Sequence, residues 1–191
     1  MMKQEKIDRR VKYTKNLLKE ALIELLQEKH ISNISVKELC EKADINRSTF
    51  YSHYADPYDL LHQIEKEVLS NVMQYLDDQI HEEQNPQFPT LQFTTILEYA
   101  KKNAVLFDVL LGENSNYVFQ KDIMELSQLV SSQYNRPMDA TVRKYLEAFV
   151  TTGMISVFKL WIQDGTKESP EYISNLLLMA IPFKATHLND D

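Results

Sequence analysis

Residues 35–60, SVKELCEKADINRSTFYSHYADPYDL, decide how the rest of the chain is read. Ser35 followed by Glu38 has the form of a capping box, in which the hydroxyl accepts from the amide three residues on and the carboxylate reaches back. Val36, Leu39, Cys40 and Ala43 fall at i, i+3, i+4 and i+7, one apolar stripe on a two-turn helix. Ala43-Asp44-Ile45 interrupts that helix, and Asn46 has the chemistry of a fresh N-cap. From Arg47 to Tyr54 the pattern gives a second helix with two faces. Phe50 and Tyr54, four apart, turn inward, while Arg47, Ser48, Thr49, Tyr51, Ser52 and His53 offer hydrogen-bonding groups outward. A short helix so rich in donors suits a DNA groove. Asp56-Pro57 then starts a third helix, with proline at its favoured first position.

The order of residue types in INRSTFYSHYADPYDLL resembles the recognition-helix signature of TetR-type transcriptional regulators. The matching positions are Ile45, Asn46, Arg47, Thr49, Phe50, Tyr51, His53, Tyr54 and Leu60, and the likeness runs from about Arg10 to Val72. It departs at Pro57, where many members carry a lysine that touches phosphate. It departs also at Asp44 and His30, where glycine is usual; Asp tolerates positive φ better than most residues. The resemblance implies an all-α protein of about nine helices. Residues 1–55 would form a helix-turn-helix DNA-binding head, with the motif itself at about 35–54, and residues 56–191 a helical effector-binding and dimerisation body. It implies a homodimer on a palindromic double-stranded operator, most often a repressor released by a small-molecule effector. A TetR-like activator working through a partner protein, and a helical interaction module that no longer binds DNA, stand as alternatives.

Roles within the motif follow from side-chain chemistry. Arg47 suits a guanine edge or a phosphate, and a bidentate guanine contact is worth ~1–3 kcal/mol of discrimination. Ser48 and Thr49 suit base edges, a thymine methyl or phosphate, with Asn46 and Ser52 as further polar groups. By the resemblance, Tyr51 and His53 are phosphate anchors. Ser35 and Lys37, at the start of the preceding helix, suit phosphate through the helix dipole.

Charge distribution supports the division. The net charge is −7, yet residues 1–54 hold 11 Lys+Arg against 8 Asp+Glu, a local +3, leaving −10 on the remainder. That is a basic head on an acidic body. The single cysteine excludes an internal disulfide and suits a reducing compartment. MMKQEKIDRR has no apolar signal core, and uninterrupted apolar runs such as 176–182 are short for a membrane span. These features point to a cytoplasmic protein with no membrane partner. Enzyme constellations are missing: the glycines are isolated, the histidines lack short ligand spacing, and Cys40 has no partner cysteine. Neither catalytic residues, a metal site nor a cofactor is expected.

Outside the motif the periodicity is helical throughout. Residues 1–10 read as a basic arm, followed by a helix from about Asp8 to Lys29 with the stripe Leu18, Ala21, Leu22, Leu25 and Leu26. A long helix starts at Pro57, and EEQNPQFP (82–89) breaks the chain. Helices then run from about Thr90 to Lys102, Ala104 to Leu111 and Tyr117 to Tyr134. The last two, about 140–164 and 170–181, follow Asp139 and Ser169 caps. The middle helices are rich in Tyr, Phe and Met, which suit either core or a ligand cavity. By the resemblance, Tyr99, Phe107, Phe119, Tyr145 and Phe149 are assigned to an effector pocket. The last two helices are apolar nearly all round, a pattern that calls for a dimer partner, and Phe158, Trp161, Ile162, Leu177 and Ile181 are assigned to the interface.

Overall fold

The structure is a computed structural model, and it describes residues 2–77, 88–114, 119–123 and 139–180. All regular structure among these residues is helical: α1 (Met2–Glu28), a 3-10 turn (Ile31–Asn33), α2 (Val36–Ala43), α3 (Arg47–Tyr51), α4 (Pro57–Asp77), α5 (Phe88–Lys102), α6 (Ala104–Leu111), α7 (Ala140–Gln163) and α8 (Pro170–Ala180). The chain divides into two compact units. One comprises Met1–Ser70 with Val105–Phe119, the other Asn71–Ala104 with Gln120–Asp191, so the division falls inside α4 and α6.

In the first unit, α1 buries the stripe read from its periodicity, Leu18, Ala21, Leu22, Leu25 and Leu26. Leu39, Cys40, Phe50, Tyr54, Leu60, Leu61, Ile64 and Val68 are buried in the same unit, and Ile31 and Ile34 are buried in the loop between α1 and α2. Helix α1 starts at Met2 instead of Asp8. MKQEKID contains no proline or glycine and is dominated by good helix formers, so nothing halts the helix there. α6 supplies Leu106, Phe107, Val109, Leu110 and Leu111, all buried. The loop after it is tied to the head: Asn114 Nδ2 donates to the Leu26 carbonyl at 3.0 Å, and the Ile31 amide donates to the Asn114 carbonyl at 3.0 Å.

In the second unit α5 packs along α8, and α7 also meets α8. Val72, Leu97, Ala100, Trp161, Ile162, Ile173 and Leu177 are its buried apolar residues among those described. Asp139 caps α7, accepting from the Thr141 and Val142 amides at 2.8 and 3.2 Å. Gly165 (φ 79°) and Thr166 (φ 51°) close it with a Schellman pair, Thr166 N–H to Trp161 O at 2.9 Å and Gly165 N–H to Ile162 O at 3.0 Å. Trp161 Nε1 donates to Glu168 O at 3.1 Å, and Lys101 Nζ to Thr166 O at 3.1 Å, which fixes the turn. α7 is long and apolar enough to cross a membrane by length and composition alone, with a mean hydropathy of 1.2 over a window of which 17% is buried within the chain. The expected helix 117–134 lies largely outside the described residues, as does Ile181; 119–123 is helical.

Candidate nucleic-acid interface

The two short helices are held at their ends by the side chains that their sequence offers. Ser35 Oγ accepts from the Glu38 amide at 3.2 Å, the first half of the capping box. The second half does not form. Lys29, at the end of α1, takes the Glu38 carboxylate in an ion pair and ties α1 to α2. α2 then ends in a left-handed Asp44 (φ 51°), with Ile45 N–H bonded to Cys40 O at 2.9 Å and Asp44 N–H to Glu41 O at 3.4 Å. This is the position where glycine is usual, and aspartate adopts its backbone conformation.

Asn46 Oδ1 accepts from both the Ser48 amide (2.9 Å) and the Ser48 hydroxyl (3.0 Å). The Ser52 hydroxyl donates to Thr49 O at 2.6 Å. Asn46, Ser48 and Ser52, expected as outward-reaching groups, are therefore engaged in building the turn and closing α3. α3 is assigned to Arg47–Tyr51, shorter than the expected run to Tyr54, although the His53 and Tyr54 amides still bond Phe50 O at 2.9 Å. Phe50 is fully buried, its ring edge-on to Tyr51 at 5.6 Å and tilted against Tyr54 at 5.7 Å. That anchoring holds Tyr51 out, 59% exposed, beside an exposed Arg47. Thr49 and His53 are half-buried. Lys37 is exposed on α2 and stands 3.8 Å from Glu41, a weak surface pair. Burial pushes the Cys40 thiol above its ordinary pKa, and the nearby Arg47 charge partly offsets this.

The start of α4 has its own electrostatics. Asp56 Oδ1 caps it by accepting from the Asp59 amide at 2.9 Å. The Asp59 carboxylate in turn accepts from the Ala55 amide at 2.9 Å and from Gln63 at 3.2 Å. The Ala55 amide bond and then the Gln63 bond hold the Asp59 carboxyl below its ordinary pKa. Behind this helix end, α1 and α4 form a groove of about 360 Å³. Sequence reasoning overlooked its α1 wall, Lys12, Lys15 and Lys19; the spacing i, i+3, i+7 was the available signal.

The residues assigned to an effector pocket separate into different settings. Phe107 and Phe119 are fully buried and pack on each other at 6.4 Å within the first unit. Tyr99 is half-buried in the second unit, its ring tilted against Tyr75 at 5.3 Å, and its hydroxyl accepts from Asn71 Nδ2 at 3.1 Å. Tyr145 and Phe149 stand open on α7, 68% and 69% exposed.

The residues assigned to the interface also fall into different settings. Trp161, Ile162 and Leu177 are buried inside their own unit, and Phe158 is half-buried against Trp161 at 6.3 Å. The exposed apolar side chains are others: Tyr145, Phe149 and Leu160 on α7, and Tyr172, Leu176 and Met179 on α8. Among the described residues, no group of three or more His, Cys, Asp or Glu is arranged to hold a metal.

A model of the TetR-type transcriptional regulator C-terminal region matches residues 87–182, half of the chain. The chain belongs to the TetR family of transcriptional regulators. A TetR regulator from Streptococcus agalactiae superposes with a TM-score of 0.68, at 22% identity, covering 93% of this chain and 98% of that one. The fatty acid degradation regulator FadR of Bacillus halodurans gives 0.65 at 10% identity, covering 91% and 97%. At these identities the likeness is one of fold, and it agrees with the all-α TetR architecture. In sequence, the chain is 23% identical over 167 residues to an uncharacterised HTH-type transcriptional regulator, YxbF of Bacillus subtilis. The match covers 82% of this chain and about two fifths, 42%, of that relative.

Proposed function

We propose that this TetR-family regulator binds palindromic double-stranded DNA as a cytoplasmic homodimer, represses from that operator, and is released by a small-molecule effector. Residues 1–55 carry the reading head in this scheme and residues 56–191 the effector and dimerisation functions, a division of role that need not follow the packing units. The observation that carries the reading is α3: Arg47 and Tyr51 project from a helix whose inner face is locked by Phe50 and whose ends are closed by Asn46 and Ser52. Such a rigid, donor-bearing helix suits the major groove, with Arg47 on a guanine or a phosphate and Tyr51 on the backbone. Ser35, Lys37, Thr49 and His53 flank it as backbone or base-edge contacts. The dimer contact is assigned to the exposed rows Tyr145, Phe149, Leu160 and Tyr172, Leu176, Met179, whose uncovered apolar area calls for a partner.

Selection from a random duplex pool by the purified protein tests this. The expected product is an inverted repeat with half-sites about one helical turn apart, ~34–36 Å. A pool that stays random would remove the DNA-binding reading and leave the second one, a helical interaction module, which the acidic start of α4 favours. A thermal-shift screen of small molecules, repeated on the protein–operator complex, tests the effector. Compounds that stabilise the protein without weakening the complex would overturn release.

A further inference from the structure

The start of α4 is built against an anion. Pro57 has no amide to donate, Asp56 occupies the Asp59 amide, and Asp56 and Asp59 put two carboxylates at the helix start. A DNA backbone passing this point meets negative charge. Cationic side chains lie on α1 instead. Lys12, Lys15 and Lys19 follow one face of that helix and line the groove against α4. Their states differ. Lys19 is held by Glu67 at 3.1 Å and is three-quarters covered, so its charge is already matched. Lys12 and Lys15 are exposed. Lys15 Nζ lies 6.0 Å from the centre of the Tyr54 ring. Tyr54 is buried at the junction of α3 with the turn into α4, so the ring positions an ammonium group beside that turn.

We infer that Lys15, with Lys12 one turn before it, takes the DNA backbone phosphates that flank the motif and that the acidic start of α4 cannot hold. The occupant is the phosphodiester backbone because the exposed charge is a row of point-like ammonium groups with no base-reading geometry, on the unit that carries Arg47 and Tyr51. The inference rests on the DNA-binding reading above.

The test uses the full-length protein and a duplex selected by it from a random pool, with binding followed by fluorescence anisotropy at several salt concentrations. Each phosphate contact contributes about 0.9 to the slope of log affinity against log salt. Lys12→Gln with Lys15→Gln should therefore lower the slope by about 1.8 per bound subunit while the order of preference among competing duplexes stays the same. Lys15→Arg should restore its share, and Lys19→Gln should leave the slope where it was. A double variant that folds, by circular dichroism, and keeps the wild-type slope would overturn the inference, as would a Lys19→Gln loss of equal size. If wild-type protein selects no duplex, the DNA-binding reading falls and this inference with it, a result distinct from a wild-type slope that survives in the variant.

Discussion

α1 and α7 are both long helices, and they complete themselves in opposite ways. α1 buries a single five-residue stripe, Leu18 to Leu26, in its own unit and exposes lysines. α7 buries Thr151, Trp161 and Ile162 and leaves Tyr145, Phe149 and Leu160 open. On the first, the apolar surface is matched by neighbours within the chain, so what remains outside is polar and available for a charged ligand. On the second, more apolar surface exists than the unit covers, and burying it stabilises at roughly 25 cal/mol per Å² when a partner arrives. The two surfaces thus differ in kind, and the DNA and dimer contacts proposed above are divided between them accordingly.

The largest expected effect breaks the self-sufficiency of the head. Phe50→Ala empties a fully buried position and should destabilise the head by about 3–5 kcal/mol, read by urea unfolding; a loss under about 1 kcal/mol would mean that the ring is not the keystone described. Next, Phe149→Glu with Met179→Glu should weaken self-association by about 2–4 kcal/mol, seen as a shift from dimer to monomer in light scattering, with the head's unfolding unchanged. A variant that stays dimeric would place the interface elsewhere.

Arg47→Ala comes third, with a loss of about 1–3 kcal/mol and relaxed preference at one position of each half-site, measured by competition between duplexes. Uniform weakening across sequences would instead make Arg47 a phosphate contact. Ser35→Ala removes the α2 cap and should cost about 1 kcal/mol of stability. The smallest effect concerns acid. Bonds from the Val142 and then the Thr141 amide hold Asp139 below its ordinary pKa of 3.8. A carboxyl lowered in the folded state contributes stability that is complete above its unfolded value and is lost as the pH falls through the folded one. Asp139→Asn keeps an acceptor without the titration, so the variant should lose less of its neutral-pH stability below about pH 4 than the parent does. Equal acid losses in both would assign the acid limb to other carboxylates.

The sequence revealed most where a structural decision is local. Ser35, Asn46, Asp139 and Ser169 each accept from an amide two or three residues on, and all four caps could be read from spacing alone. The α1 stripe was equally plain because that helix has one apolar face. Glu38 could not be read the same way, since its partner Lys29 lies nine residues back, just past the end of α1. The faces of α7 are hard to read for a related reason. When a helix is apolar nearly all round, periodicity does not say which face its own chain covers; here Trp161 and Ile162 are buried within the unit and Tyr145 and Phe149 are exposed. Within the motif, composition showed how many donors were present, but Ser48 and Ser52 donate within the turn and α3 itself.

The division of the packing units inside α4 and α6 makes residues 1–55 a poor exchangeable cassette. A gene fusion cut after residue 55 would leave behind Leu60, Leu61, Ile64 and Val68, all buried in the head's unit, along with the α6 side chains and the Asn114 clasp on Leu26 and Ile31. On the DNA-binding reading proposed above, swapping specificity between such regulators would therefore work better by rewriting the outward face of α3 in place than by transplanting the segment.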